Sequence, residues 1–316
     1  MTGRRLMITG AAGFTGRHAV NYFAAKGKEV IAVIRKPILA EASLSASPVF
    51  PVGVRVYICD LGDRKAVAEM METLAPDDVL HLAGKNSVPE SWQNPLLYME
   101  TNVMATLYLL EALRLRPSSR ILVVGSRLKY RIGAELPPHP YSLSKTLEEL
   151  VSLAWRTLFK QQVILAEPCN LMGPGPSTGF CSLLAGHIVR SEQGEQQASF
   201  KVSSRSALRD FLDVRDAVRA YEYILSKGEN GTIYRIESGT QRMLGEIAEW
   251  MLKQSPVVVP MEWGNTLSEK PVIEAETPCS PEEAATSLGW RAEIPFEQSL
   301  SDIMDYFRVG REGGSA

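Results

Sequence analysis

Eight residues near the N-terminus constrain this chain more than any other feature. Thr9–Gly16 reads TGAAGFTG. It comes after a short apolar run, Arg5–Thr9, and opens a helical pattern over Thr15–Lys26, with Ala19, Val20, Phe23 and Ala24 on one face. Glycines three apart between a first strand and a first helix let the backbone turn tightly and approach a pyrophosphate, whose charge then sits at the helix N-terminus. A plain tight turn is the other reading of these residues. The position between strand and helix favours a dinucleotide, with Gly10, Gly13, Phe14, Thr15 and Gly16 as its first candidate contacts.

The rest of the first half agrees with that turn. Glu29–Ile34, Val54–Ile58, Asp78–His81 and Arg120–Val124 read as strands, separated by helical stretches at Arg64–Leu74 and Asn94–Leu115. Lys145–Lys160 reads as an amphipathic helix with Leu147, Leu150, Val151 and Ala154 inward, and Val163–Ala166 as the next strand. Such alternation predicts a Rossmann-type α/β fold, a doubly wound parallel sheet. After Pro168 the pattern loosens. Helices are expected at Phe180–Ser191, Val214–Ser226, Leu244–Gln254, Pro281–Leu288 and Glu297–Phe307, and a strand at Gly231–Ile236. With 316 residues there is room for a second lobe. Residues 1–167 are read as the nucleotide-binding domain, with 214–236 returning to it. Residues 168–213 and 237–310 form a smaller C-terminal α/β substrate lobe, and 311–316 a frayed tail.

Composition excludes several functions. The formal net charge of −2 offers no footprint for nucleic acid. No apolar stretch approaches ~20 residues, so no membrane partner is expected and a soluble, cytoplasmic protein is. The four cysteines, Cys59, Cys169, Cys181 and Cys279, form no CxxC pair or Cys/His cluster, so neither a metal site nor a disulfide framework is expected.

Two places carry chemistry. The second strand ends in Arg35-Lys36, where a carboxylate would suit the ribose 2′-hydroxyl of NAD. Two cations suit a 2′-phosphate, so NADP is expected over NAD, a solvated basic loop being the other reading. Asp60 closes the third strand, either against an adenine edge or as a helix cap. Further on, Tyr141 and Lys145 lie one helical turn apart. The ammonium is expected to lower the phenol pKa, so that Tyr141 trades a proton with a sugar hydroxyl or carbonyl near neutral pH. Ser126 lies just beyond the strand Arg120–Val124, at the sheet edge where ligands of open α/β sheets bind. His81 reads as a core histidine more readily than a base. His139, two residues before Tyr141, could reach a sugar, though this is the lesser reading. Trp92, Trp155 and Trp250 suit core or interface packing.

TGAAGFTG, Ser126, Tyr141-Ser142-Leu143-Ser144-Lys145, Asn170-Leu171-Met172-Gly173-Pro174-Gly175, Arg209–Val214 and Gly289-Trp290 together resemble the extended short-chain dehydrogenase/reductases, over about the whole chain. His81–Val88, Ser91-Trp92 and Thr101-Asn102-Val103 are most similar to the GDP-4-keto-6-deoxy-mannose reductase and GDP-mannose 4,6-dehydratase subgroup. The resemblance implies a nucleotide-sugar substrate linked to GDP, UDP or dTDP, with Tyr141 as acid/base, Lys145 on the nicotinamide ribose and Ser126 on the C4 oxygen. It places Asp60, Leu61, Leu82, Ala83, Gly84, Lys85, Val124, Pro168 and Asn170 around the cofactor. It places Ser87, Arg127, Asn170, Arg209 and Lys270 along the sugar diphosphate. It also implies a homodimer built on helices Thr101–Leu115 and Lys145–Lys160, whose apolar residues suit an intrachain core equally well.

Three departures from the family's pattern bear on the reaction. Dehydratases of the family carry a glutamate two residues after the serine position. Here that residue is Leu128, which accepts no proton. Ser126 and Tyr141 are also only fifteen positions apart, shorter than the family's loop, and Glu167 stands where relatives often have arginine. The expected activity is therefore NADP-dependent reduction of an NDP-4-keto-6-deoxyhexose. A nucleotide-sugar epimerase or atypical 4,6- or 5,6-dehydratase with internal redox is the alternative. A non-catalytic NADP-binding sensor is a second.

Overall fold

Arg5–Thr9 forms β1, an inner strand of a seven-stranded parallel sheet in this computed structural model, which describes residues 4–36, 50–133, 136–264 and 284–312. Its neighbours are β2 (Glu29–Ile34), with Leu6 opposite Val30, and β4 (Asp78–His81), with Thr9 opposite His81. β3 (Arg55–Ile58) lies outside β2, while β5 (Arg120–Val124), β6 (Gln162–Pro168) and β10 (Ile233–Ile236) continue beyond β4. Strand order runs one way from β1 through β2 to β3 and the other way from β4, so the crevice between β1 and β4 is the switch point of a doubly wound sheet. The inner strands are apolar along their length because both sheet faces are covered. α1 (Phe14–Ala25) and α8 (Val214–Lys227) cover one face, and α2 (Arg64–Leu74) and α5 (Ala105–Leu113) the other.

Most first-half boundaries lie within a residue or two of the expected ones. The helix expected over Asn94–Leu115 is broken instead. α3 (Val88–Gln93) and α4 (Pro95–Tyr98) are separated at Asn94, because Pro95 starts a new helix rather than continuing one. A π-helical turn, Met99–Met104, then leads into α5. The helix expected at Lys145 begins five residues earlier, as α6 (Pro140–Phe159), with proline at its permissive first position. Its inward face is also not the one expected. Tyr141, Ser144, Lys145, Glu148 and Ser152 are buried, whereas Leu150 is 41 % exposed and Leu147, Val151 and Ala154 are only half-buried. The polar face of α6 is the one packed inside, and the apolar stripe is left outward.

The remaining elements build a second core. β7 (Asn170–Met172), β9 (Leu208–Asp213) and β11 (Gln241–Met243) form a small sheet, and β8 (Phe200–Val202) pairs with β12 (Met261–Trp263). α7 (Phe180–Glu192), α9 (Leu244–Lys253) and α10 (Phe296–Glu312) pack their apolar sides together there, around Leu184, Ile188, Ile247, Met251 and Ile303. Trp250 packs against this cluster and Trp155 against the first-domain core, but Trp92 is 62 % exposed and belongs to neither. Of the helix expected over Pro281–Leu288, the described part is a single 3-10 turn, Ala285–Leu288, closed by Gly289. Lys270, Cys279 and residues 313–316 lie outside the described residues. Cys59, Cys169 and Cys181 are free and buried, and none of the described helices is long and apolar enough to cross a membrane.

Candidate active site

The glycine turn fits its task on steric grounds. Gly10 has φ +65°, and a Cβ there would stand 2.7 Å from the Ala83 backbone nitrogen. At Gly16 a Cβ would meet the Gly10 carbonyl at 2.1 Å. Neither position accepts a side chain without moving backbone. Gly13 caps α1 without any side-chain hydrogen bond, so the first N–H groups of that helix face the cleft without a capping side chain. An anion-binding cradle at the switch point is what a pyrophosphate requires.

A cleft of about 580 Å³ opens there, between the C-terminal ends of β1, β4, β5 and β6 and the second lobe. The turn contributes Gly10, Gly13, Phe14, Thr15 and Gly16 to its wall. Leu82, Gly84 and Lys85 come after β4, and Val124, Ser126 and Arg127 stand at and beyond the end of β5. Tyr141 and Lys145 enter from α6, Pro168 and Asn170 from the end of β6 and start of β7, and Arg209 from β9. Six other candidates do not line it. Arg35 and Lys36 stand exposed at the end of β2. Asp60 folds back onto the Gly62 amide at 3.0 Å, and Leu61 is buried in the core. Ala83 lies beneath the turn, its N–H on Thr9 Oγ1 at 3.2 Å. Ser87 caps α3 through the Glu90 amide at 3.3 Å.

Within the cleft the Ser126 hydroxyl is within hydrogen-bond reach of the buried Tyr141 phenol. Burial pushes the phenol pKa up, and Lys145 and Ser126 only partly oppose this, so the net direction is upward. This reverses the expectation of a lowered phenol pKa: desolvation of the phenolate outweighs the neighbouring ammonium. Tyr141 therefore holds its proton at neutral pH, as a proton donor must. Lys145 Nζ donates to the Val124 carbonyl at 3.1 Å and to Glu148 at 2.7 Å. Burial acts against its charge, but Glu148 and Tyr141 keep its pKa above the ordinary lysine value.

The histidines do not line the cleft. His81 is buried between Thr9 Oγ1 at 2.7 Å and Thr106 Oγ1 at 2.9 Å, and burial with the Lys145 charge lowers its pKa to about 3. His139 accepts the Ser142 amide at 2.9 Å as the cap of α6, and its ring stacks on Tyr141.

The short segment after Ser126 is tied down rather than loose. Lys129 pairs with both Glu149 on α6 and the buried Glu167 on β6. The Tyr130 amide donates to Thr146 at 3.1 Å. Glu167 thus has its counter-charge in the shortened segment itself. Leu128 faces the cleft, and Arg127 pairs with Glu237.

Sequence reasoning left out much of the second lobe's wall. Thr178, Phe180, Phe211 and Gln241 line the cleft. The pattern predicts a helix at Phe180 and the motifs single out Arg209–Val214, but neither says that Phe180 or Phe211 turns toward the cleft. It also left out the role of Asn102. Held by the π-helical turn, Asn102 accepts the Lys85 amide at 2.8 Å and donates to Ser144 Oγ at 2.9 Å, tying the β4 loop to α6.

A profile of the NAD dependent epimerase/dehydratase family matches residues 6–236. GDP-6-deoxy-D-mannose reductase from Pseudomonas aeruginosa is 31 % identical over 314 residues, covering 95 % of this chain and 96 % of that protein. UDP-glucose 4-epimerase GEPI48 from Cyamopsis tetragonoloba is 23 % identical, covering 96 % of this chain and 94 % of its own length. Among solved structures, RMD from Pseudomonas aeruginosa complexed with NADPH superposes with TM-score 0.76 at 28 % identity, over 97 % of this chain and 99 % of that one. The Thermus thermophilus UDP-glucose 4-epimerase complex with NAD shares the fold with TM-score 0.78 at 22 % identity, over 96 % of this chain and 99 % of that one.

Proposed function

Because the chain belongs to the NAD dependent epimerase/dehydratase family, we propose that it is an NADPH-dependent reductase of the C4 ketone of a nucleotide-linked 4-keto-6-deoxyhexose. The observation that carries this is the convergence of Ser126, Tyr141 and Lys145 on the switch-point cleft, with Leu128 on the same wall. That set can protonate a ketone oxygen, and Leu128 can take no proton from a sugar carbon. The names of the reductase relative and of the NADPH-bound structure support the same reading.

NADPH supplies the hydride when bound. The glycine turn and the N-terminus of α1 hold its pyrophosphate, and Arg35 and Lys36 are assigned to the 2′-phosphate. Asn170 and Arg209 are assigned to the sugar diphosphate. Ser126 donates a hydrogen bond to the C4 oxygen, which favours the charge that develops there. Tyr141 gives that oxygen its proton and C4 takes the hydride, so the ketone becomes an alcohol and the phenol a phenolate. Lys145 stabilises the phenolate until solvent returns a proton. The assembly is assigned as a homodimer on the outward faces of α5 and α6.

The test is NADPH consumption with 4-keto-6-deoxyhexoses carrying GDP, UDP or dTDP. Oxidation with one of them is expected and names the nucleotide. Tyr141→Phe should lower kcat by about a hundredfold or more while NADPH binding is unchanged. A sugar altered without NADPH oxidation would instead mean internal redox, as in an epimerase or dehydratase. Full turnover by Tyr141→Phe would remove the acid role.

A further inference from the structure

Behind the Tyr141–Lys145 pair lies a charged group that the proposed reduction does not use. Tyr141, Lys145 and Glu148 succeed one another at intervals of four and three along α6, on one helix face. Glu148 Oε2 accepts from Lys145 Nζ at 2.7 Å, and the Lys145 and Glu148 side chains are 7 % and 1 % exposed. The other carboxylate oxygen lies 3.3 Å from the Thr106 hydroxyl, whose single hydrogen is shared with the nearer Asn102 carbonyl at 2.7 Å. Thr106 faces His81 Nε2, and His81 Nδ1 faces Thr9 Oγ1. Thr9 Oγ1 already accepts the amides of Leu82 and Ala83 at 3.2 Å each, so its one hydrogen goes to Nδ1. That fixes His81 as a neutral imidazole with its proton on Nε2, donated to Thr106. Among the described residues, the groups that act on the Glu148 carboxylate are the Lys145 ammonium and the neutral Thr106 hydroxyl.

We propose that Glu148 is a positioning residue for the proton-transfer pair: its carboxylate is the counter-charge that holds the Lys145 ammonium against the Val124 carbonyl, beside Tyr141. An ammonium has three donors. Glu148 and Val124 take two, and the third is left for the cleft that Lys145 lines. A buried lysine without a counter-charge surrenders its proton several pH units early. Facing Tyr141 are Ser126 beyond β5, Tyr98 of α4, His139 ahead of α6, and Lys145 and Glu148 on α6 itself. Facing Lys145 are Tyr141, Glu148 and, from β4, His81. In both sets the ion pair is Lys145 with Glu148: burial pushes the Glu148 carboxyl up, and the Lys145 ammonium 2.7 Å away opposes this.

The test reads the sign of that charge. Tyr141 and Lys145 titrate as a pair, and removing a negative charge beside them eases loss of the first proton, whichever group gives it up. Glu148→Gln keeps the shape and removes the charge. The alkaline limb of its kcat profile for NADPH oxidation should move to lower pH by about one unit or more. Glu148→Asp retains the charge, one methylene further back, and should shift less in the same direction. The role of Tyr141 in turnover rests on the reductase reading, so a second measurement avoids substrate altogether. Titrating tyrosinate absorbance in the Glu148 variants, each against its Tyr141→Phe counterpart, should show the same shift. If no ketosugar oxidises NADPH yet this titration moves, the reductase reading fails and the positioning role stands. A kcat profile and titration for Glu148→Gln that superimpose on wild type, even with a lower kcat, overturn the proposal. Should Glu148→Gln not fold, the titration of Glu148→Asp decides in the same way.

Discussion

Arg35 and Lys36 stand at the end of β2, one strand away from the glycine turn. The Ala11 amide donates to the Val33 carbonyl at 3.2 Å, so the turn is fixed to this strand end. A cofactor with its pyrophosphate on the turn would run its adenosine ribose toward the two cations. Charge-assisted hydrogen bonds to a phosphate are worth about 1.5–3 kcal/mol each, which is roughly tenfold or more in affinity. Arg35→Ser and Lys36→Ser should each weaken NADPH binding by about tenfold and leave NADH binding nearly unchanged. Cofactor fluorescence titrations check this, and an unaltered NADPH-to-NADH preference in the double variant would return the pair to a solvated basic loop. Tyr141 teaches a different lesson at this scale. Four-residue spacing shows that an ammonium and a phenol are neighbours, but not how deeply they are buried. Burial decides the net direction here.

At the scale of elements, one carboxylate stitches three strands. Asp78, the first residue of β4, accepts from Arg4 Nε at 2.8 Å ahead of β1 and from Arg120 Nε at 2.9 Å at the start of β5. Burial works against its charge, but the two guanidinium groups prevail and its pKa is lowered. A depressed folded-state pKa means stability that is full above the ordinary carboxylate value of about 4 and is lost as pH falls through the folded value. Asp78→Asn should cost about 2 kcal/mol near neutral pH, less than a fully buried pair because Arg4 is half exposed. In urea unfolding the gap between variant and wild type should close as the pH falls below about 4; a gap of constant size would remove the ion pairs as its cause.

Elements also show what the residues announce. β2, β4, β5 and α2 run over the expected residues because apolar runs and a helical stripe fix them without help from distant chain. β7, β8, β11 and β12 are three residues each, too short to display alternation. α6 misleads for another reason. Its buried side is made of Tyr141, Ser144, Lys145, Glu148 and Ser152, and a pattern rule assigns polar residues to solvent. A helix whose polar face is its working face breaks that rule. The catalytic candidates were legible from motif and spacing. Their support, Glu148, Thr106 and Asn102, was not, since it depends on α5, the π-helical turn and α6 meeting in space.

For the whole molecule, the same inversion leaves a surface to explain. With its polar side turned inward, α6 presents Leu150 and Leu158 outward, 41 % and 68 % exposed, beside half-buried Leu147, Val151 and Ala154. α5 packs against α6, and Met104, the last residue of the π-helical turn ahead of α5, is also exposed. The outward apolar residues of α6, with Met104 in the turn just ahead of α5, match what the same elements of a second copy would cover, giving a two-fold four-helix contact. The helix that carries Tyr141 and Lys145 on its inner face would then carry the subunit contact on its outer face. Leu150→Glu would place two like charges near the two-fold axis and should convert a dimer into a monomer by sedimentation at micromolar concentration. Leu150 touches nothing in the cleft, so any loss of turnover in that variant would report how far α6 depends on the partner for its rigidity. A wild-type chain that sediments as a monomer would leave the outward stripe without this explanation. It would also leave the buried polar face of α6, with Leu153 and Trp155 against the sheet core, to set how the helix sits without a subunit contact.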